Sequence, residues 1–560
     1  MRGQDALVGD VSYVSGPSER PLLARTIGRE LDHSALLHAE REALVSRHQG
    51  LRFTYAELHH EAGRVARALL ALGVRAGDRV GIWSPNRAEW VLTQYGSAKA
   101  GAILVNINPA YKTQELSYIL DRSGVSVLVA ARAFRATDYV AMIDQVREDL
   151  PGLREIVLLG ETSEPWARSW DAFLARADET PLEALREREA LLDFDDPINI
   201  QYTSGTTGMP KGATLSHHNI LNNGFFVGER ELLGPEDRIC VPVPFYHCFG
   251  MVMGNLAALT HGSCVVIPAE SFEAGACLGA VQEERCTALY GVPTMFIAEL
   301  DREDFHAYDL SSLRTGIMAG SPCPVEVMKQ VVDRMHMTEV TICYGMTETS
   351  PVSFQSLADD ELDRRVSTVG AIHPHVEAKI VDPSTGRTLP RGEAGELCTR
   401  GYLVMLGYWN DPNATKESVD RARWMHTGDL AVMREDGYVN IVGRIKDMVI
   451  RGGENIYPRE IEEFLFTHPV VADVQVVGVP DEKYGEELCA WVRLKEGARA
   501  TAEELRVFCR GKIATYKIPR YVLVVDEFPM TVTGKVQKFR MREISIRELG
   551  LERAASATTA

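Results

Sequence analysis

The sequence predicts an α/β protein: a large N-terminal domain of several subdomains with parallel-rich sheets and a β-rich part, followed by a small, mobile C-terminal α/β domain. Three observations lead there. Short apolar runs alternate with amphipathic helical stretches through most of the chain, the pattern of strands covered on both faces by crossover helices. From Ala378 the texture changes to short alternating runs broken by turn signals such as Asp382-Pro-Ser-Thr-Gly386 and Asp436-Gly437. Beyond residue 443 the α/β pattern returns on a smaller scale.

Residues 54–72 open with a T-x-x-E capping box, Thr54 and Glu57, and carry Leu58, Val65, Leu69 and Leu72 at helical spacing. A Gly-rich turn, a short strand at 80–83, a helix from Trp90 to Ala100 and a strand at 102–105 follow. Further strands are expected at 125–130, 155–159, 264–268 and 287–290. In the C-terminal part the pattern predicts a helix at 458–467, strands at 474–479 and 488–494, and a helix capped by Thr501 in T-A-E-E. The division expected is an extension over 1–29, a main domain over 30–443, a small domain over 444–548 and a tail over 549–560, rich in Ala and Thr, that frays.

A chain of 560 residues is too long for one ordinary core. Hydrophobic residues at 45% and charged residues at 25% exclude a disordered or membrane-embedded composition. The formal charge of -18 repels phosphate backbones, so nucleic acid is not an expected partner. Ten cysteines are scattered with no C-x-x-C pair, which suits buried free thiols in a reducing cytoplasm. The first residues carry Asp5, Asp10 and Glu19 and no apolar core, so no secretory signal is read there. The long uncharged stretch 248–269 is interrupted by Asn255, His261, Ser263, Pro268 and several glycines, and reads as core helix plus buried strand, not as a membrane segment.

The most informative segment is Tyr202-Thr-Ser-Gly-Thr-Thr-Gly-Met-Pro-Lys-Gly212, which follows the apolar Ile198 to Ile200. Glycines let backbone N–H groups approach an anion, hydroxyls add donors, and Lys211 supplies charge. That is the chemistry of a phosphate cradle, with a flexible Ser/Thr/Gly linker as the equal alternative when the segment is taken alone. It is not a Walker A loop, because Pro210 stands where the second Gly should be and Gly212 follows Lys211. Four more motifs occur in order: Tyr344-Gly-Met-Thr-Glu348, Trp424-Met-His-Thr-Gly-Asp429, Gly443-Arg-Ile-Lys-Asp447 with Arg451-Gly-Gly-Glu-Asn-Ile456, and Thr533-Gly-Lys535. Together these motifs make the chain, over roughly residues 30 to 540, resemble the adenylate-forming superfamily of acyl-CoA synthetases, adenylation domains and luciferases.

The resemblance implies ATP, Mg²⁺ and coenzyme A as the small molecules handled. It assigns nucleotide contacts to Thr203, Ser204, Gly205, Thr206, Thr207, Gly208, Lys211, Gly320, Tyr344 and Gly345, with the Tyr344 ring stacked on adenine. It gives Thr347 the α-phosphate, Glu348 the Mg²⁺, Asp429 the ribose hydroxyls and Arg444 a further grip on the nucleotide; a plain salt bridge between these last two is the alternative. Lys535 bridges the acid and the α-phosphate during adenylation. A hinge at Lys446 then turns the C-terminal domain, withdrawing Lys535 and bringing in Gly452 and Gly453, whose missing side chains leave room for the pantetheine arm. Bringing two anions together calls for cations and positioning more than for an acid or base, and these residues answer that demand.

Residues 241–268 contain no Asp, Glu, Lys or Arg, so the ammonium-binding Asp of amino-acid-activating relatives is missing. An apolar lining favours an alkyl or aryl chain at about 0.8 kcal/mol per methylene buried. The Phe245-Tyr-His-Cys-Phe-Gly250 form most resembles medium- and long-chain fatty acyl-CoA synthetases, and His247 either orients the acid's carboxylate or is a hydrogen-bonded core histidine. His217-His218 lacks the downstream Asp-Gly of an acyltransferase, since Asn222-Asn223 stand there. The expected function is a fatty acid–CoA ligase; a carrier-protein-loading ligase, an aryl acid–CoA ligase and a non-catalytic nucleotide-binding regulator are the rivals. Association into a homodimer stays open.

Overall fold

The computed structural model describes residues 11–203, 210–321, 323–452, 454–530 and 536–557. The molecule divides into two compact units: one of residues 1–13, 379–398 and 427–560, the other of residues 14–378 and 399–426.

In the larger unit the capping box works as read: Thr54 accepts from the Glu57 N–H while the Glu57 carboxylate accepts from the Thr54 N–H, and the helix runs Tyr55–Ala71. Such a cap is worth about 1 kcal/mol. Leu58, Val65 and Leu69 are buried on its inner stripe. The following helix, Ala88–Ala100, is buried at every position but Glu89, which explains why its sequence lacks a polar face. Strands Arg79–Trp83, Ile103–Asn106, Val125–Ala130, Glu155–Leu158, Cys264–Ile267 and Ala288–Gly291 lie within a residue or two of their expected places.

These strands form two sheets. The eight-stranded one has the order Arg168–Ser169, Glu155–Leu158, Val125–Ala130, Arg79–Trp83, Ile103–Asn106, Pro197–Thr203, Lys211–Ser216, Gly407–Tyr408. It is parallel up to Pro197–Thr203, which then pairs antiparallel with Lys211–Ser216, so Thr203 faces Lys211 at the loop end of a hairpin. The nine-stranded sheet is parallel from Thr341–Gly345 through Glu42–Ser46 and antiparallel at its two edges. The uncharged stretch becomes a π-helix at Phe249–Leu256, an α-helix at Ala257–His261 and the buried strand Cys264–Ile267. Among the described residues no helix is long and apolar enough to cross a membrane. All ten cysteines are free thiols.

The smaller unit carries two five-stranded sheets. One contains the antiparallel pair Met425–Met433 and Val439–Arg444. The other is built on the long antiparallel pair Val471–Asp481 and Gly485–Leu494, backed by helices Pro458–Phe466 and Ala502–Cys509, the second capped by Thr501 as expected. The tail differs from its expectation over its middle: Glu552–Ala557 is helical and Ala554 is buried. Helix-favouring Glu, Arg and Ala there outweigh the low-complexity look of the segment. Residue 443, where a boundary was expected, lies inside the strand Val439–Arg444 of this unit.

Candidate functional site

In the larger unit the predicted residues gather at strand ends. Thr203 closes the central strand of the hairpin and Lys211 opens its return strand. Glu348 lies in the short 3₁₀ turn Thr347–Thr349 that follows strand Thr341–Gly345, and it is only 5% exposed. Its Oε1 accepts from the Thr203 hydroxyl at 3.3 Å and from the Tyr408 hydroxyl at 2.8 Å. The Lys211 ammonium stands 5.3 Å from the centre of the Tyr408 ring, a cation–π contact. The Lys211 ammonium and a buried carboxylate are thus gathered round one aromatic side chain. Burial and then the charge of Glu348 push the Tyr408 phenol well above its usual range, so it stays a hydrogen-bond donor.

Tyr344 and Gly345 end strand Thr341–Gly345, with the Tyr344 ring 6.3 Å from Phe354. A Cβ on Gly345 would sit 1.7 Å from the Pro351 carbonyl oxygen, so no other residue fits there. Gly320 follows strand Thr315–Ala319 with a φ of +92°, a left-handed turn that re-aims the chain at the strand's carboxyl end. Ligands of open α/β sheets bind at such carboxyl ends. His247 lies two residues before the π-helix Phe249–Leu256: its backbone N–H donates to Pro244 O at 3.3 Å and its ring lies 4.6 Å from that of Tyr246. Next to it the Cys248 thiol donates to Gln201 Oε1 at 3.3 Å, and burial, then the charge of Glu348, raise that thiol far above its usual range. Ser204, Gly205, Thr206, Thr207 and Gly208 lie outside the described residues.

His217 is a core residue. Its Nδ1 accepts the Ile27 N–H at 3.1 Å, and full burial drives its imidazole down to about 3, so it is neutral and remote from any acyltransfer role.

In the smaller unit Asp429 and Arg444 face each other in register across neighbouring strands, and Arg444 Nε donates to Asp429 Oδ1 at 2.9 Å. The carboxylate is buried while the arginine is 62% exposed on its side chain. Lys446 is exposed in the 3₁₀ turn Ile445–Asp447 directly after that strand. The Gly452 N–H donates to Tyr484 O at 2.8 Å, in a turn flanked by Arg451, whose guanidinium pairs with Glu487 and lies 4.1 Å from the Tyr484 ring centre. Gly453 and Lys535 lie outside the described residues; the segment holding Lys535 is flanked by an antiparallel bridge between Met530 and Val536.

Tyr408 escaped the sequence reading. It belongs to a two-residue strand that pairs with Ala213 and Thr214 from a distant part of the chain, and nothing local marks it. The hydrogen-bond partners of the Glu348 carboxylate among the described residues are both hydroxyls, and oxygen ligands of this kind suit a hard cation such as Mg²⁺.

Comparison with known proteins gives concordant likenesses. Residues 31–409 match the model of the AMP-binding enzyme family and residues 460–535 that of the AMP-binding enzyme C-terminal domain. YngI of Bacillus subtilis, provisionally named an acyl-CoA synthetase, is 48% identical over 95% of this chain and 99% of its own length. The mitochondrial medium-chain acyl-CoA ligase ACSF2 of Danio rerio is 45% identical over 96% of this chain and 91% of its own. Among solved structures, the anthranilate CoA ligase AuaEII in complex with anthranoyl-AMP superposes with a TM-score of 0.82 at 28% identity, covering 94% of this chain and 98% of the other.

Proposed function

The chain belongs to the AMP-binding enzyme family, and from that premise we propose that it joins a medium- or long-chain aliphatic acid to coenzyme A, converting ATP to AMP and pyrophosphate through an acyl-adenylate. It is an acid–thiol ligase. The observation that supports the adenylation reading is the Glu348 carboxylate, held by Thr203 and Tyr408 beside the Lys211 ammonium at the loop end of the central hairpin.

In the first step a carboxylate oxygen of the acid attacks the α-phosphorus and pyrophosphate leaves. Lys211 and Lys535 supply positive charge to the phosphates, Thr347 donates to the α-phosphate, and Tyr344 offers a flat face to adenine. A Mg²⁺ held on Glu348 neutralises phosphate charge when bound. Asp429 accepts from the ribose hydroxyls and Arg444 steadies it. His247 orients the acid, and the buried, uncharged Met251, Val252, Met253 and Leu256 of the π-helix suit an alkyl chain. In the second step the CoA thiolate attacks the acyl carbon and AMP leaves; Gly452 and Gly453 leave space for the thiol arm after a turn of residues 444–548 about Lys446. We assign the protein to the cytoplasm, with free CoA, not a carrier protein, as acceptor, and a homodimer as an arrangement to be tested by sedimentation.

The test is mass spectrometry of products from ATP, Mg²⁺ and saturated acids from acetate to palmitate plus benzoate, each with and without CoA. Acyl-CoA with AMP and an optimum among the longer acids is expected. Adenylate persisting despite CoA would point to a carrier acceptor, an optimum at benzoate to an aryl ligase, and nucleotide binding with no pyrophosphate release across the panel to the regulatory reading. Lys535→Ala should depress adenylate formation by about 10²-fold or more while sparing acyl transfer from preformed adenylate to CoA; equal loss of both steps would sink that residue's role.

A further inference from the structure

Both hydrogen bonds that reach the Glu348 carboxylate from described residues arrive at the same oxygen, Oε1. The shorter comes from Tyr408, at 2.8 Å. The Thr203 hydroxyl has one proton and two acceptors in reach, Glu348 Oε1 at 3.3 Å and Lys211 O at 3.4 Å, so its hold is divided. Tyr408 is itself fixed by backbone on both sides. The Leu406 N–H donates to Thr214 O at 2.9 Å and the Trp409 N–H to Gly212 O at 2.7 Å, while the Met405 N–H donates to the backbone oxygen of Glu348 at 3.0 Å. One short segment therefore ties the hairpin's return strand to the Glu348 turn, and its Tyr408 side chain touches both the carboxylate and the Lys211 ammonium.

Resting on the reading of Glu348 as the Mg²⁺ ligand, we propose that Tyr408 is a positioning residue for the adenylation step: its hydroxyl pins Glu348 Oε1 so that Oε2 is the oxygen offered to the divalent cation, while its ring carries the Lys211 ammonium at the phosphates. The physical logic is division of labour within one carboxylate. A carboxylate with both oxygens free to rotate must give up that freedom on binding a cation; one with an oxygen already held presents the other in a fixed direction. A neutral phenol does this without cancelling the negative charge, which an arginine in its place would do.

The test uses the full-length protein with ATP and no acid, so that no turnover occurs, and reads Mn²⁺ binding in the ternary complex by water-proton relaxation. Tyr408→Phe keeps the ring and removes the hydroxyl; it should weaken Mn²⁺ by about tenfold, the scale of a lost hydrogen bond to a charged group, with metal-free ATP binding and the unfolding midpoint unchanged. Tyr408→Leu should weaken Mn²⁺ equally and also weaken metal-free ATP binding, because Lys211 loses its ring. In a Glu348→Gln background, Tyr408→Phe should add nothing further. If Glu348→Gln weakens Mn²⁺ and Tyr408→Phe does not, or if the two effects add, this inference falls while the metal role of Glu348 stands. Should Glu348→Gln leave Mn²⁺ binding untouched, the metal role falls and the inference with it. A lowered unfolding midpoint for Tyr408→Phe with unaltered Mn²⁺ affinity would make Tyr408 purely structural and overturn the proposal.

Discussion

Two buried carboxylates, one in each unit, are held in opposite ways. Glu348 and Asp429 are 5% and 6% exposed, so each has surrendered most of its water. Glu348 is compensated by two neutral hydroxyls. Asp429 is compensated by a guanidinium at 2.9 Å. The first keeps its net charge and suits a cation arriving from outside; the second is neutralised as a pair and suits uncharged hydroxyls such as those of a ribose. Identical burial thus serves different ligands, and the partner decides which.

The contrast breaks most visibly at Glu348. Glu348→Gln should lower the rate of adenylate formation by on the order of 10³-fold and raise the Mg²⁺ concentration needed, as loss of a central electrostatic group does; pyrophosphate release across a Mg²⁺ series reads both. Asp429→Asn should leave that Mg²⁺ requirement alone and raise the KM for ATP by about tenfold, with the preference for ATP over 2′-deoxy-ATP reduced. If the two variants shift the same parameter, the division between them is wrong.

A third carboxyl sharpens the rule. Glu231 is fully buried, accepts from the Tyr290 hydroxyl at 2.6 Å, and burial lifts it to about 8, which the Tyr290 bond and the Arg314 charge only partly oppose. Neutral donors plus complete burial therefore favour the protonated acid. Because the folded state keeps a proton that the unfolded chain releases, stability contributed by Glu231 is full below its ordinary value of 4.5 and is lost as pH rises toward 8. Glu231→Gln should flatten that decline, raising the unfolding midpoint at pH 8 relative to pH 5 by about 3 °C in parallel melts. The smallest effect is expected at Arg444→Met: with its side chain 62% exposed, the pair with Asp429 should contribute under about 1 kcal/mol to unfolding free energy, and less in high salt.

Much of the fold was legible because its signals are local. The Thr54 and Thr501 capping boxes and the apolar runs of the parallel strands need only a few neighbouring residues to be read. The helix Ala88–Ala100 was legible as an element although burial on all sides removed its amphipathic face. Thr203, Lys211 and Glu348 were legible as motif letters, but their meeting point was not: Tyr408 reaches them through the pairing of Gly407–Tyr408 with Lys211–Ser216, a contact between distant parts of the chain that periodicity does not encode. The pairing of Asp429 with Arg444 depends on strand register, which was read only as an alternative. The helical Glu552–Ala557 was hidden by a composition that resembles linker.

The division of the chain has a consequence for protein engineering. The backbone passes from one unit to the other after residues 13, 378, 398 and 426, so no single crossover exchanges either unit whole between homologues. A recombinant joined after residue 378 would inherit Glu348 from one parent and Tyr408 from the other, mixing the two halves of one hydrogen bond. Breeding new acid specificity into this scaffold therefore works best with junctions that keep residues 14–378 and 399–426 from the same parent, treating the short second segment as an heirloom of the first.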